Sequence, residues 1–283
     1  MKRSNRLQLH DLPSFSNINW SKYKVKSYLH FDNRIEIEHV KNSIQDPEWI
    51  EKHAFFPFIH FEMEFKKYVK KDLSNLNVTK ISLPKDLKEK KTKIRKIYYA
   101  SHTDSYIYKY YGDVLNAAYN RYAFDNKIDD IVLAYRNNKK GSNNIDFAYE
   151  VFEFILNHKK AIIISLDFTK FFDKINHKKL KQNIKTVLNC SELPKDIYKI
   201  YKSITQFSYV NKSDTDNFLI QKYGHELLKQ KRKDKSLSRI MNAKEYREFK
   251  KTNKLYKNKK PFGIPQGSGM SAVCSNIHLI HFD

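Results

Sequence analysis

Cysteine is almost missing: Cys190 and Cys274 are the only two in 283 residues. They lie far apart and match no zinc-ligand spacing. We read both as reduced thiols of a cytoplasmic protein. No apolar run approaches the roughly 20 residues that a membrane-spanning helix needs. The N-terminal stretch MKRSNRLQLHDLPSF is basic but lacks the apolar region of a signal peptide. A membrane partner is therefore not expected. Internal repeats and low-complexity tracts are missing too. Acid is the last shortage: 31 Asp and Glu face 54 Lys and Arg, leaving a formal charge of +23. Such a surplus points to a polyanionic partner, since lysines and arginines release the counterions condensed on nucleic acid. Nineteen tyrosines and nineteen phenylalanines offer flat faces on which bases can stack, although most are expected to pack in the core.

What is present centres on Ala161 to His177, AIIISLDFTKFFDKINH. The run Ala161-Ile162-Ile163-Ile164, bounded by polar residues, predicts a short buried strand. Asp167 stands at its end, and Asp173 follows two phenylalanines later. A carboxylate at the mouth of a buried strand is costly unless something pairs with it. Magnesium is a suitable partner, because it takes carboxylate and phosphate oxygens together. The plain alternative is an N-cap for the next helix.

A second stretch, Pro261 to Leu279, PFGIPQGSGMSAVCSNIHL, bears on the choice. Taken together, the two stretches resemble the palm of reverse transcriptases. Asp167, Phe172 and Asp173 resemble the family's motif A. Pro265, Gln266, Gly267, Ser268 and Ser271 resemble motif B, a turn entering a helix. The resemblance covers roughly Lys91 to Asp283. It is nearest to bacterial defence-associated, abortive-infection and retron-type reverse transcriptases. It implies an α/β (α+β) fold with right-hand polymerase fingers and a partial ferredoxin-like palm, a helical N-terminal extension and no thumb.

The expected domains follow. Residues 1–90 form a basic, mostly helical extension, including a helical piece from Trp49 to Lys71 kinked at Pro57. His53 and His60 are packing residues. Residues 91–160 are fingers. Within them, Lys93 to Ala100 alternates as a strand with one wet, positive face. By the resemblance its Arg95 folds onto the incoming triphosphate, with Lys91 and Lys93 as weaker candidates. Asp104 to Tyr122 is a helix whose tyrosines pack, one of them serving as a protein primer being the rarer alternative. A strand ends at Ala134-Tyr135-Arg136, a turn holds Lys139, Lys140 and Gly141, and a helix runs from Asn144 to Ile155. The resemblance sets Arg136, Lys139 and Lys140 against the template backbone. Residues 161–189 are palm, with a helix from Asn176 to Leu188. Residues 190–260 elaborate the fingers, and residues 261–283 return to the palm.

The implied chemistry is RNA-templated DNA synthesis by two-metal nucleotidyl transfer, with bacterial antiviral defence as its setting. Asp167 ligates two Mg²⁺ ions, Mn²⁺ being the alternative, and the Phe168 carbonyl helps with one. Phe172 is the steric gate that favours deoxynucleotides. Gln266 and Gly267 contact the nucleotide, while Asp173 caps or orients the turn. The implied partners are an RNA template, the DNA product and dNTPs, with a non-coding RNA or a second copy also open. The family's Tyr-x-Asp-Asp hairpin has no counterpart here, and Asp129-Asp130 comes too early to supply it. We therefore expect these 283 residues to be a fragment, inactive alone. Three other readings stay open: a catalytically dead palm that binds nucleic acid, a protein-primed or loosely templated DNA polymerase, and an RNA-directed RNA polymerase.

Overall fold

A computed structural model describes residues 18–70, 88–139, 141–158, 160 and 162–282. The chain mixes helix and strand, with helix dominant. Among the described residues one sheet forms, of four strands in the order β2-β1-β3-β4. They are β1 (Phe58–Lys70), β2 (Lys88–Tyr99), β3 (Ser208–Asn211) and β4 (Tyr256–Lys257). Strands β1 and β2 are antiparallel from Ile59↔Tyr99 to Lys70↔Lys88. Only the base of β1, Phe58 to His60, also pairs with β3, in parallel. Beyond it the ribbon projects with two strands alone, and Met63, Phe65, Tyr68 and Ile94 are exposed on it.

The ribbon corrects the helix expected from Trp49 to Lys71. Helix stops early, at α1 (Lys41–Gln45) and α2 (Pro47–Lys52), and Pro57 precedes β1. Phe61-Glu62-Met63-Glu64-Phe65-Lys66 alternates with period two, which suits a strand and not a helix. Pairing Glu62 with Lys96 across the ladder adds an opposite-charge neighbour.

The central element is α3 (His102–Asp125). Its 24 residues span about 36 Å. Its N-terminus is capped twice. Ser101 Oγ accepts from Asp104 N at 3.2 Å, and the Asp32 carboxylate accepts from His102 N and Thr103 N at 2.9 Å each. Tyr106, Tyr108, Tyr110, Tyr111 and Tyr119 are all buried in the main core. Three of their hydroxyls meet Ile35 O, Ser203 Oγ and the Asp196 carboxylate. Buried hydroxyls are poor acceptors for a first nucleotide, so packing is the role these rings fill.

Around α3 pack α6 (His177–Val187), α7 (Lys195–Thr205) and α11 (Ser271–Leu279). Burial of Ile175, Leu180, Ile184, Val187 and Leu188 matches the helical spacing read from the sequence. A second, smaller core joins Phe31, Ile59 and Val210 to α8 (Lys212–Tyr223), α9 (His225–Lys233) and α10 (Ala243–Thr252). Helix α4 (Asn144–Leu156) forms as expected, but none of its residues is buried.

Two expected strands do not form. Residues 131–136 make turns and coil, with Tyr135 at φ 60°. Residues 162–168 are coil, with Ile162, Ile163, Ile164 and Leu166 exposed. A strand needs a ladder partner, and among the described residues none lies beside this run. Both cysteines are free thiols, and burial pushes Cys274 up to about 12. No described helix is long and apolar enough to cross a membrane.

Candidate active site

Three segments far apart in sequence meet beside α3. The first is the base of β2. The second runs from Asp167 through α5 (Phe171–Lys174) to His177. The third is the turn from Pro261 to Met270, which leads into α11.

The second and third segments are zipped together. Ile264 N donates to Phe172 O at 3.0 Å, Gly263 N to Ile175 O at 2.9 Å, and His177 N to Pro261 O at 3.0 Å. His177 also donates from Nε2 to Gly263 O at 2.7 Å. Burial keeps that imidazole below its ordinary pKa, so it is neutral at pH 7. Its role is structural.

The first and third segments join at one point. Tyr98 N donates to Gln266 O at 2.8 Å. Gly267, at φ +114°, turns its missing Cβ towards the Tyr98 carbonyl, which lies only 2.6 Å from where that atom would sit. The glycine thus serves the seating of β2 on the turn; the sequence had assigned it to nucleotide approach. On the far side, a Cβ on Gly112 of α3 would stand 2.6 Å from Gly269 O. The turn is therefore clamped by backbone on both flanks. Ser271 Oγ fastens it from within, donating to Pro265 O at 2.6 Å. Met270 and Val273 are buried, as expected. The Tyr98 hydroxyl is held above its ordinary range by burial, then by Tyr209 and by the Asp173 carboxylate, which puts Asp173 in the same neighbourhood.

Asp167 is exposed, and its carboxylate has no hydrogen-bond or ion-pair partner among the described residues. It is thus not a cap on the next helix; the residue preceding α5 is Lys170, at φ 54° and without a side-chain cap. Phe168 packs on Phe171 and Phe282, with ring centroids 5.3 and 5.5 Å away. This anchors the segment near the end of α11. Phe172 is half-buried against the main core. Among the described residues no hydrogen bond engages the Gln266 amide, and that residue is half-buried. Arg95 is exposed three residues up β2 from Tyr98, with its guanidinium over the Phe65 ring at 4.6 Å. Lys91 and Lys93 lie further out on the same strand.

Magnesium commonly keeps several waters and takes one or two carboxylates together with substrate phosphates. Two carboxylates of this segment, Asp167 and Asp173, are exposed and without a hydrogen-bond or ion-pair partner among the described residues, and Asp167 is the one that fits an ion arriving with a nucleotide. Among the described residues no group of three or more His, Cys, Asp or Glu side chains could hold a metal. Asp167, the Phe168 carbonyl and the exposed Asp173 carboxylate are the donors this segment offers.

The expected template contacts read differently in the structure. Arg136 points inward with its side chain fully covered. Its Nε donates to Asn120 Oδ1 at 2.8 Å, Nη1 to Asp129 O and Val132 O, and Nη2 to the Asp129 carboxylate. It ties the 129–136 turn to α3. Lys139 Nζ reaches the same carboxylate at 3.0 Å. These two cations hold Asp129 below the usual carboxylate range, the Lys139 hydrogen bond contributing most. Lys140 lies outside the described residues.

One cationic feature was passed over in the sequence. A cavity of about 230 Å³ lies against the turn at Gly267, Ser268 and Gly269. Lys22, Lys24, Lys26 and Lys109 line it together with Tyr28 and Tyr99. The signal was the alternation Lys22-Tyr23-Lys24-Val25-Lys26, which runs from a single 3-10 turn (Trp20–Lys22) into coil. Lys109 is tied to Asp113 at 3.0 Å and lies over Tyr23 at 4.6 Å. No ion pair engages Lys22, Lys24 or Lys26 among the described residues. Comparison with protein-family models and with curated proteins returns no match.

Proposed function

We propose that this chain carries the nucleotide-binding part of a templated DNA polymerase of the reverse-transcriptase type. The observation that supports it is the meeting of three separated segments, each bearing a residue type the chemistry needs. Asp167 is free to hold a cation, Arg95 to hold phosphate, and the 265–268 turn lies next to both segments. In this reading β1, β2 and α3 are fingers, and residues 167–177 with 261–279 are palm.

Polymerisation is in-line attack of a primer 3′-hydroxyl on the α-phosphate, with pyrophosphate leaving. Magnesium, when bound, stabilises the charge on the attacking and leaving oxygens. Asp167 and the Phe168 carbonyl would hold it. Arg95 offers a planar fork of donors to the triphosphate and cannot lose its charge. Phe172 presses where a ribose 2′-hydroxyl would sit, and the unengaged Gln266 amide orients the sugar or the templating base. The net charge of +23 draws the template to the surface.

The test is equilibrium binding of dTTP with Mg²⁺ to the chain, compared with Asp167→Asn, Arg95→Gln and Phe172→Val. Binding should weaken in the first two, and preference for dTTP over UTP should shrink in the third. If all three variants bind both nucleotides as the parent does, the reading fails.

A further inference from the structure

A second cleft lies away from the segments above, where the smaller core meets the N-terminal region. Its volume is about 460 Å³, within the range of small-ligand pockets. Three rings form its wall. Phe31 stands 6.1 Å from Phe56 and 4.9 Å from Tyr246, and Phe56 stands 6.2 Å from Tyr246, centroid to centroid. Arg239 and Arg247 line the same cleft and are exposed.

The cleft is braced. Ile240 N donates to His30 O at 2.8 Å, and Arg34 Nη1 to Leu237 O at 3.2 Å. These bonds fix the 237–241 loop against the segment that carries Phe31. A capping box between Asn242 and Glu245 sets the start of α10, which carries Tyr246 and Arg247. The rings are therefore positioned before anything binds.

Phe31 backs the wall from the core, and the two partly exposed rings, Phe56 and Tyr246, can take either an organic cation or a flat heterocycle. The charge around them decides. Both guanidiniums are outside any ion pair among the described residues, and Lys250 adds a third positive group over the Tyr246 ring at 4.8 Å. The nearby Glu245 carboxylate is engaged, by Lys222 at 2.6 Å and by Asn242 N at 2.7 Å. Arg239 also acts on that carboxylate, but positive groups remain in excess, so a cationic guest would meet net like charge, whereas an anionic one gains guanidinium contacts. We propose that this cleft binds an unstacked nucleobase on the rings and its phosphate on Arg239 and Arg247. The inference does not rest on the polymerase reading.

Two sources carry that chemistry, a base within a single strand and a free nucleotide. The test uses the whole chain in metal-free buffer, so it is blind to any polymerase activity. One arm cross-links oligo(U) carrying 5-iodouracil and maps the adduct; the other titrates AMP by calorimetry. Phe56→Leu and Tyr246→Leu retain apolar volume but remove the stacking face, and Tyr246→Phe retains the face. Adducts at Phe56 or Tyr246, lost in the leucine variants and kept in Tyr246→Phe, support a strand site. AMP binding weakened roughly 5- to 100-fold by the leucine variants supports a free-nucleotide site. In either arm, Arg239→Gln with Arg247→Gln should flatten the salt dependence, for a single strand by roughly 0.7 in log–log slope per contact. Adducts only elsewhere, with AMP binding unchanged in the leucine variants or not detected, overturn the proposal.

Discussion

Gly267→Ala isolates the contact on which the candidate site depends. Two effects add. At φ +114° an alanine backbone is strained by about 1–3 kcal/mol. The new Cβ would also lie 2.6 Å from Tyr98 O, too close for any real Cβ contact, so β2 must retreat from the turn. That retreat stretches the 2.8 Å bond from Tyr98 N to Gln266 O, and losing such a bond costs about 0.5–1.5 kcal/mol. The sum is a destabilisation of roughly 2–4 kcal/mol. Gly141→Ala is the matched control. It also has a positive φ, +82°, but nothing lies within 4 Å of its missing Cβ, so only about 1–2 kcal/mol of backbone strain applies. Urea unfolding followed by circular dichroism measures both midpoints. Equal losses in the two variants would refute the claim that β2 is seated on the turn through this glycine.

Three further outcomes are expected. Burial lowers His30 to about 3, below the ordinary value near 6.5. The unfolded chain therefore takes up a proton that the folded chain refuses. The stabilisation is full above about pH 6.5 and is lost as pH falls towards 3, on the order of 3 kcal/mol by pH 4. His30→Asn, which can still accept from Phe31 N, should flatten the acid limb of urea midpoints between pH 7 and 4. Tyr111→Phe removes the 2.8 Å hydrogen bond to the buried Asp196 carboxylate and should cost about 1–3 kcal/mol in thermal or urea unfolding. Arg136→Gln should lower stability by a similar amount yet leave the salt slope of RNA binding unchanged. A slope reduced by about 0.7–0.9 would instead place that guanidinium on a phosphate.

Elements that draw their stability from close neighbours were readable in the sequence. The tyrosines of α3 and the spacing of Ile175, Leu180 and Ile184 each specified an element and residues it buries; the alternation of β2 specified a strand but not a buried side, since Ile94 is exposed along with Lys93, Arg95 and Lys96. The Gly267 turn was readable too, because left-handed backbone is written in residue type. Two departures share a cause, neighbours supplied by other parts of the chain. Residues 162–166 have the composition of a strand, but composition cannot supply the neighbouring strand that would bury them. Arg136 has the residue type of a phosphate contact, but only the fold brings Asp129 and Asn120 around it. The helix expected across Pro57 misjudged period. Aromatic density in Phe61 to Lys66 drew attention from a strict two-residue alternation, visible once charges and rings are read together. The lysines at 22, 24 and 26 went unread because nothing local ties them to a turn some 240 positions later.

The ribbon of β1 and β2 has a mechanical side. Twelve paired residues extend about 40 Å, and the base of β2 is fastened to the 266–267 turn. Because its anchor on that turn is at Tyr98, a rigid swing of the ribbon would pivot there. A swing of roughly 5° at the pivot carries the tip by about 3–4 Å over that length. Run in reverse, a displacement imposed on the tip would reach the backbone around Gln266 much reduced, through the bond from Tyr98 N to Gln266 O.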